Sequence, residues 1–228
     1  MQKRTARIGD YDTAVYGWTL SSCVLSAPEQ KTNYVERTGG DGSWDLSTVL
    51  TGGVPRYKDR TLTLALENSQ GDRAAREKII STMVNQLDGL EWPIVLPDYP
   101  DHYLVGRVHV SVTQSSPAYA AITVTATCQP WLFKTRETVV ELDAPITAST
   151  DAATFYIRND GRKVVTPVLT VNGKANLKFN GVNSETLPTG TYTWPALQLV
   201  PGQNELMYTG SYNGTDTLTL RYREAVLL

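Results

Sequence analysis

The sequence predicts a mostly β protein in two parts, an α+β first domain and an all-β second domain. Many short segments alternate apolar and polar residues, and a single segment repeats its apolar residues at helical spacing. After Thr135 no helical stripe recurs, and short strand-like segments alternate with glycine turns. Because 228 residues are enough for two small domains, we divide the chain into 1–134 and 135–228.

Composition indicates a globular chain with an ordinary core. Hydrophobic residues make up 41% and charged residues 19% of the sequence. The 21 basic and 23 acidic residues are spread along the chain, and no basic block suggests a nucleic-acid groove. The five Trp and 12 Tyr outnumber the three Phe, which suits surfaces and interfaces where one end of the ring stays polar.

The first domain is expected to begin with strands over 14–20, 23–26 and 32–36 and to continue, after a long arm, with a strand over 61–67. In this last strand alternate positions share one face: Leu62, Leu64 and Leu66. Farther along, a strand is predicted over 92–96, then a turn cluster over 97–102. An antiparallel pair follows, with matching faces of Val108, Val110 and Val112, and of Ile122, Val124 and Ala126.

One helix is predicted between these strands. Asp72 is a good N-cap, and Gly89 suits the position just after the C-terminus. Between them the apolar residues recur at three- and four-residue spacings: Ile79, Ile80, Met83, Val84 and Leu87. We expect this helix to cover one face of the sheet.

The second domain reads as a small β-sandwich. Strands are expected over 154–158, 164–171, 176–179, 192–199, 205–208 and 216–223. Turns are expected at Asn172-Gly173, Asn180-Gly181, Pro201-Gly202 and Asn213-Gly214.

The segment from Thr38 to Arg60 is the most unusual part of the sequence. A glycine-rich loop, TGGDG, leads into Trp44-Asp45-Leu46, and a Gly-Gly-Val-Pro stretch follows. The segment is much longer than the roughly two to five residues of a hairpin turn. Apolar residues on such a loop are exposed in a lone monomer, so we interpret residues 38–60 as an arm that lies on a neighbouring subunit.

This segment resembles the distal tail protein family of long-tailed, siphovirus-type phages and phage-like particles. The matching positions are Gly40, Gly42, Asp45, Leu46, Tyr57 and Arg60. A second segment, in the other predicted domain, is also similar to that family, at Gly190, Tyr192, Leu199, Gly202, Asn204, Leu206, Gly210, Leu218, Leu220, Tyr222 and Arg223. Two segments in the right order cover most of the chain.

The resemblance implies a structural virion protein of the tail tip or baseplate. Its first domain is expected to form a homohexameric ring that joins the tail tube protein to the tail-tip hub or tail-associated protein. DNA is expected to pass through the lumen without specific binding. The second domain is expected to be a β-sandwich, galectin-like or similar to a carbohydrate-binding module. The residues expected to form the inter-subunit arm are Gly40, Gly42, Trp44, Asp45, Leu46, Val49, Leu50 and Tyr57.

The alternative is a carbohydrate-binding module used for host-surface attachment. Tyr192, Trp194 and Tyr212 are the candidate residues for stacking on a sugar. A galectin-type site also depends on a histidine, and the second domain contains none.

No enzyme, metal or cofactor is predicted. Asp98, Asp101 and His102 form one short proline-rich turn and seldom complete a metal site alone. The loop GGDGSWD lacks the lysine of a phosphate loop and the spaced acids of a calcium loop, and no nucleophile elbow occurs.

The state of the cysteines and the location of the protein are also expectations from the sequence. Cys23 and Cys128 are expected to be buried thiols rather than a disulfide. Asn213-Gly214-Thr215 matches a glycosylation sequon but is interpreted as a hairpin turn. No signal peptide and no apolar segment of about 20 residues is found, so we expect synthesis in a cytoplasm and no membrane insertion. The resemblance to distal tail proteins implies that this is the host cytoplasm and that the protein is incorporated into the virion.

Overall fold

The computed structural model describes residues 4–143, 152–209 and 216–227. These residues form two compact units. The first contains the described residues up to Leu132 together with Leu227, and the second extends from Phe133 to Val226. One α-helix and an antiparallel sheet form the first unit, and strands dominate the second. The predicted mostly β fold class is therefore confirmed.

The first unit contains nine complete strands and helix α1. The bounds are β1 Arg7–Ile8, β2 Tyr11–Asp12, β3 Thr19–Leu25, β4 Tyr34–Glu36, β5 Ser43–Asp45, β6 Arg60–Asn68, α1 Arg73–Leu87, β7 Glu91–Val95, β8 His102–Ser115 and β9 Ala120–Cys128. Seven of these strands pair in the order β2-β1-β7-β8-β9-β6-β3. The pair β4-β5 forms a separate two-stranded sheet.

The core of this unit lies on one face of the central strands. Across β6 and β9, Leu62 pairs with Ala126, Leu64 with Val124 and Leu66 with Ile122, and all six are buried, as their alternation predicts. On β8 the neighbouring Val108 and Val110 are buried as well, whereas Val112 is half exposed.

Helix α1 forms as predicted. The Asp72 carboxylate accepts a hydrogen bond from the Ala75 N–H at 2.8 Å, which is the N-cap interaction. The helix ends before Gly89, which has φ +76°. Ile80, Met83 and Leu87 are buried, and α1 packs against β8.

The start of the chain differs from expectation. In place of a strand over 14–20, residues 13–17 form turns, and β3 is one continuous strand. The Thr13 hydroxyl accepts from the Ala6 N–H at 2.9 Å and donates to the Ala6 carbonyl at 2.8 Å. Asp12 caps the Ala14 N–H at 2.8 Å. These local side-chain bonds offer the backbone an alternative to the sheet ladder.

The second unit contains the remaining strands. They are β10 Leu132–Lys134, whose first residue belongs to the first unit, β11 Thr138–Asp143, β12 Ala153–Asn159, β13 Val168–Phe179, β14 Val182–Asn183, β15 Leu187–Thr193, β16 Gly202–Thr209, β17 Thr217–Tyr222 and β18 Ala225–Val226. The main order is β11-β17-β13-β16-β12, and β14 and β15 pair with β13. Leu218, Leu220 and Tyr222 are buried on one face, as predicted.

Two expectations for this unit are wrong. Asn172-Gly173 is not a turn but lies inside β13, where the pairing register with β15 shifts between Val171 and Lys174 and Gly173 adopts φ +95°. A glycine bulge thus lets one long strand continue. The strand expected over 192–199 ends at Thr193, because Pro195 cannot donate to a ladder.

The Asn180-Gly181 turn is confirmed, with φ values of 48° and 80° joining β13 to β14. The turn expected at Asn213-Gly214 lies outside the described residues.

Arg76 is the one charged residue of α1 that is buried. Its guanidinium donates to the carbonyls of Gln70 and Gly71, before the helix, at 3.4 and 2.5 Å. It also donates to the carbonyls of Ser116 and Pro117, in the β8–β9 turn, at 3.0 and 2.7 Å. One side chain therefore fastens the start of the helix to the sheet.

We expect Arg76→Met to lower the free energy of unfolding by about 2 kcal/mol, because a charged donor is lost from buried carbonyls. Urea unfolding followed at the helical circular-dichroism band measures this. The control is Arg73→Met on the same helix, which removes only an exposed pair with Glu77. An equal effect of both changes contradicts the role assigned to Arg76.

We also expect residues 1–134 to fold without the second domain, because α1 and the central strands complete their own core before that point. Circular dichroism and cooperative urea unfolding of the fragment test this. An unfolded fragment would show that the two domains share one core.

Candidate functional site

The connection between β3 and β6 is a long β-ribbon, called the arm from here on and comprising residues 27–59. At its base Gln30 bridges Tyr57, the Lys31 N–H donates to the Arg56 carbonyl at 2.8 Å, and the Lys58 N–H donates to the Glu29 carbonyl at 2.8 Å. Farther out, β4 and β5 pair antiparallel. The arm therefore begins about ten residues earlier than the sequence suggested, and it has its own backbone ladder.

The tip of the arm is shaped by glycines. Gly39 and Gly42 adopt φ +77° and +76°, and a Cβ at either position would meet open space. Left-handed backbone, not close packing, is thus what these positions require. Gly40 lies between them with a negative or extended φ.

Polar residues beside β5 fix the arm internally. The Asp45 carboxylate accepts from the Ser47 N–H at 2.9 Å, and hydrogen bonds from Ser47 lower the pKa of Asp45. The Ser47 hydroxyl accepts from the Asn33 N–H at 2.8 Å, and the Leu46 N–H donates to the Asn33 carbonyl at 2.8 Å. Asp45 therefore holds the ribbon in shape and is engaged within it.

No residue from Ser21 to Asp59 is buried, although the arm is rich in apolar side chains. Leu50 is 97% exposed and Trp44 is 56% exposed. The Trp44 ring is covered on one side by the Arg37 guanidinium, 4.3 Å from its centroid. The other exposed apolar residues of the arm are Tyr34, Val35, Leu46, Val49 and Val54.

Tyr57 has a different place from the other predicted arm residues. It lies at the base, half buried, with its ring edge-on to Trp131 at 5.6 Å between centroids. Beside it, Lys58 and Glu29 form an ion pair, and the buried Arg60 donates to the Ser26 carbonyl at 2.7 Å. These residues fix the direction in which the arm leaves the sheet.

Tyr34 and Val35 belong to the arm, although their sequence pattern predicts an ordinary strand over 32–36. Their signal was present in the sequence as two short apolar segments placed symmetrically about TGGDG. Recognising it needed the pairing of Val35 with Trp44, which the structure provides.

Two of the three aromatic residues considered for sugar stacking lie among the described residues. Tyr192 and Trp194 are partly buried against the core of the second unit. Tyr212 lies outside the described residues.

Asp98 and His109 each have a side-chain partner in the first unit. Asp98 accepts two hydrogen bonds from Arg4 at 2.6 Å, and His102 is the first residue of β8. His109 is exposed and its Nδ1 lies 2.8 Å from the Asp88 carboxylate. Within the described ranges, no group of three or more His, Cys, Asp or Glu side chains is arranged to hold a metal ion.

Both cysteines are free. Cys128 is buried, and burial raises its pKa to about 12. Cys23 is only half buried, contrary to expectation, because β3 is the edge strand of its sheet. In the part of the chain that the structure describes, no helix combines the length and apolar character needed to cross a membrane.

Comparison with solved structures gives the fold an independent reference. The Dit (gp 19.1) protein of phage SPP1 aligns over 97% of this chain and 99% of its own, with a TM-score of 0.69 and 14% sequence identity. This chain has the fold of that phage protein. The SPP1 structure is described as a paradigm of the hub adsorption apparatus in phages that infect Gram-positive bacteria. The resemblance to distal tail proteins is thereby confirmed at the level of the fold.

The phage p2 baseplate, in its activated conformation with Sr, aligns over 97% of this chain and 98% of the baseplate chain, with 8% identity and a TM-score of 0.49. No family model and no curated protein matches the sequence.

We expect Trp44→Ala to weaken subunit association while leaving the folding of the subunit unchanged. The Trp44 ring contacts little of its own subunit, and truncating an aromatic interface anchor often costs about 2 kcal/mol or more. Sedimentation velocity and thermal melting of the same variant measure the two effects. The control is Tyr119→Ala, another exposed aromatic of the first unit that lies outside the arm. Lower thermal stability with unchanged association would place Trp44 in its own subunit's core.

Proposed function

We propose that this chain is a structural protein of a phage tail tip or baseplate, and that its first domain assembles into a hexameric ring. The observation that carries the proposal is the arm, a folded ribbon without a single buried residue and with Trp44 and Leu50 exposed. The likeness to the SPP1 Dit fold over 97% of the chain supports the same assignment.

The energetics of the arm favour a protein partner. An isolated two-stranded ribbon is only marginally stable in water, and covering its apolar side chains gains roughly 25 cal/mol per Å². The backbone ladder at the base keeps the ribbon folded before a neighbour covers it. Little conformational entropy is therefore lost on association. An exposed apolar surface of this kind marks an interaction site.

A closed ring is consistent with the kind of contact that an arm makes. An arm laid on a different surface of the next copy gives a heterologous contact, which closes into a ring when the rotation between subunits allows it. We propose six copies because of the resemblance to distal tail proteins. The arm residues of the interface are Gly40, Gly42, Trp44, Asp45, Leu46, Val49 and Leu50, with Tyr57 at the base.

In the virion the ring would join the tail tube protein on one side to the tail-tip hub or tail-associated protein on the other. The genome would pass through the lumen without specific binding. The net charge of −2 is compatible with such a passage, because a strongly cationic lining would hold the phosphates by counterion release.

Light scattering at rising protein concentration tests the assembly. We expect a species of six times the 25.1 kDa chain mass, and six-fold rings in negatively stained images. The control is a variant in which a two-residue Asn-Gly turn joins Lys31 directly to Arg56, because these residues already pair at the base of the arm. This variant should fold and remain monomeric. Monomeric wild-type protein at high concentration, with no ring in isolated tails, would refute the proposal.

A further inference from the structure

The first unit contains a cavity that the arm of the same subunit does not fill. Its volume is about 400 Å³, and its lining residues come from the β1–β2 region, the end of α1 and β7: Asp10, Tyr11, Tyr16, Gln86, Leu87 and Trp92. This volume falls within the range of ordinary ligand pockets. The lining combines apolar and aromatic walls with a few polar groups.

The aromatic wall is held rigidly. The rings of Tyr11 and Tyr16 stack at 4.2 Å between centroids with an angle of 7°. The Tyr11 hydroxyl accepts a hydrogen bond from the buried Trp18 indole at 3.0 Å. Gly9 has φ +57°, and a Cβ there would lie 2.5 Å from the Trp92 ring, so the backbone itself rests against that ring. The cavity is thus preformed, and its occupant loses little to rearrangement of the walls.

The arm carries an apolar side chain of suitable kind. Leu50 is 97% exposed, on a short 3-10 helical turn, Val49–Thr51. The Thr51 hydroxyl donates to the Val54 carbonyl at 2.6 Å, and Gly52 takes φ +62° after the turn. Burying this leucine against an apolar wall would remove its side chain from water, which favours docking.

Charge favours the same pairing. Arg56 follows the turn that bears Leu50, and Asp10 lines the cavity; both are exposed. Neither side chain forms a hydrogen bond or ion pair with another residue in the described ranges. An unpaired cation beside the anchor and an unpaired anion at the cavity are complementary across an interface.

We propose that the cavity receives Leu50 from the arm of a neighbouring copy of this chain, with Arg56 of that arm near Asp10. The proposal rests on the ring assembly proposed above and specifies where the arm docks. The anchor and the cavity are different surfaces of one chain, so each copy can offer one and receive the other, as a heterologous ring requires.

Disulfide trapping tests the contact directly. Leu50→Cys and Gln86→Cys are introduced together in a Cys23→Ser background, and Cys128 is left in place because it is buried. Mild oxidation of the assembled protein should give a ladder of cross-linked species up to the hexamer on a non-reducing gel. The matched control pairs Leu50→Cys with Lys78→Cys, an exposed position on α1 that does not line the cavity, and should give no ladder.

Charge reversal gives a second readout. We expect Asp10→Arg alone and Arg56→Asp alone each to weaken hexamer formation at least tenfold, and the double variant to recover most of the loss. A chain that forms hexamers without cross-linking at Gln86, or without recovery in the double variant, overturns the docking site and leaves the ring intact. A chain that stays monomeric under every condition overturns both the ring and the docking site.

Discussion

The structure depends on one constraint: the arm cannot bury its own apolar side chains. A two-stranded ribbon has no second layer, and a hydrophobic face needs another element to cover it. The sheet of the first unit is already covered by α1, and no residue of the ribbon reaches that core. Trp44 and Leu50 are therefore left exposed on the subunit, and we propose that a neighbouring copy covers them.

The base of the arm fixes the direction in which the arm leaves the sheet. The strands β3 and β6 are paired neighbours in the sheet, so the arm is an extension of one hairpin and inherits its direction. Contacts at the root oppose bending, among them the ring contact between Tyr57 and Trp131 and the hydrogen bond from Arg60 to Ser26. At the tip the chain reverses direction where glycines adopt positive φ. A ribbon anchored in this way has a fixed orientation, which the proposed ring would require of each contact between subunits.

Sequence patterns predicted those features that depend on neighbouring residues. The helix followed from the Asp72 cap and an apolar stripe, and the central strands followed from two-residue alternation. Features set by distant contacts were missed. Gly173 reads as a turn until β17, β15 and β16 are seen to share one long partner strand. The base of the arm requires Gln30 to meet Tyr57, and the cavity unites residues near positions 10 and 90. No local sequence pattern predicts such contacts between residues far apart in the chain.

The central claim is that a neighbouring copy covers the arm, and hydrogen exchange tests it most directly. The amides of residues 32–54 should exchange quickly in dilute, dissociated protein. In the assembled form their exchange rates should be lower by a factor of several tens. Amides of the central strand β9, buried in either state, provide the internal reference. Protection of the arm that appears only with assembly is the result that this account predicts. An arm that exchanges equally fast in both states, while the protein is fully assembled, would contradict it.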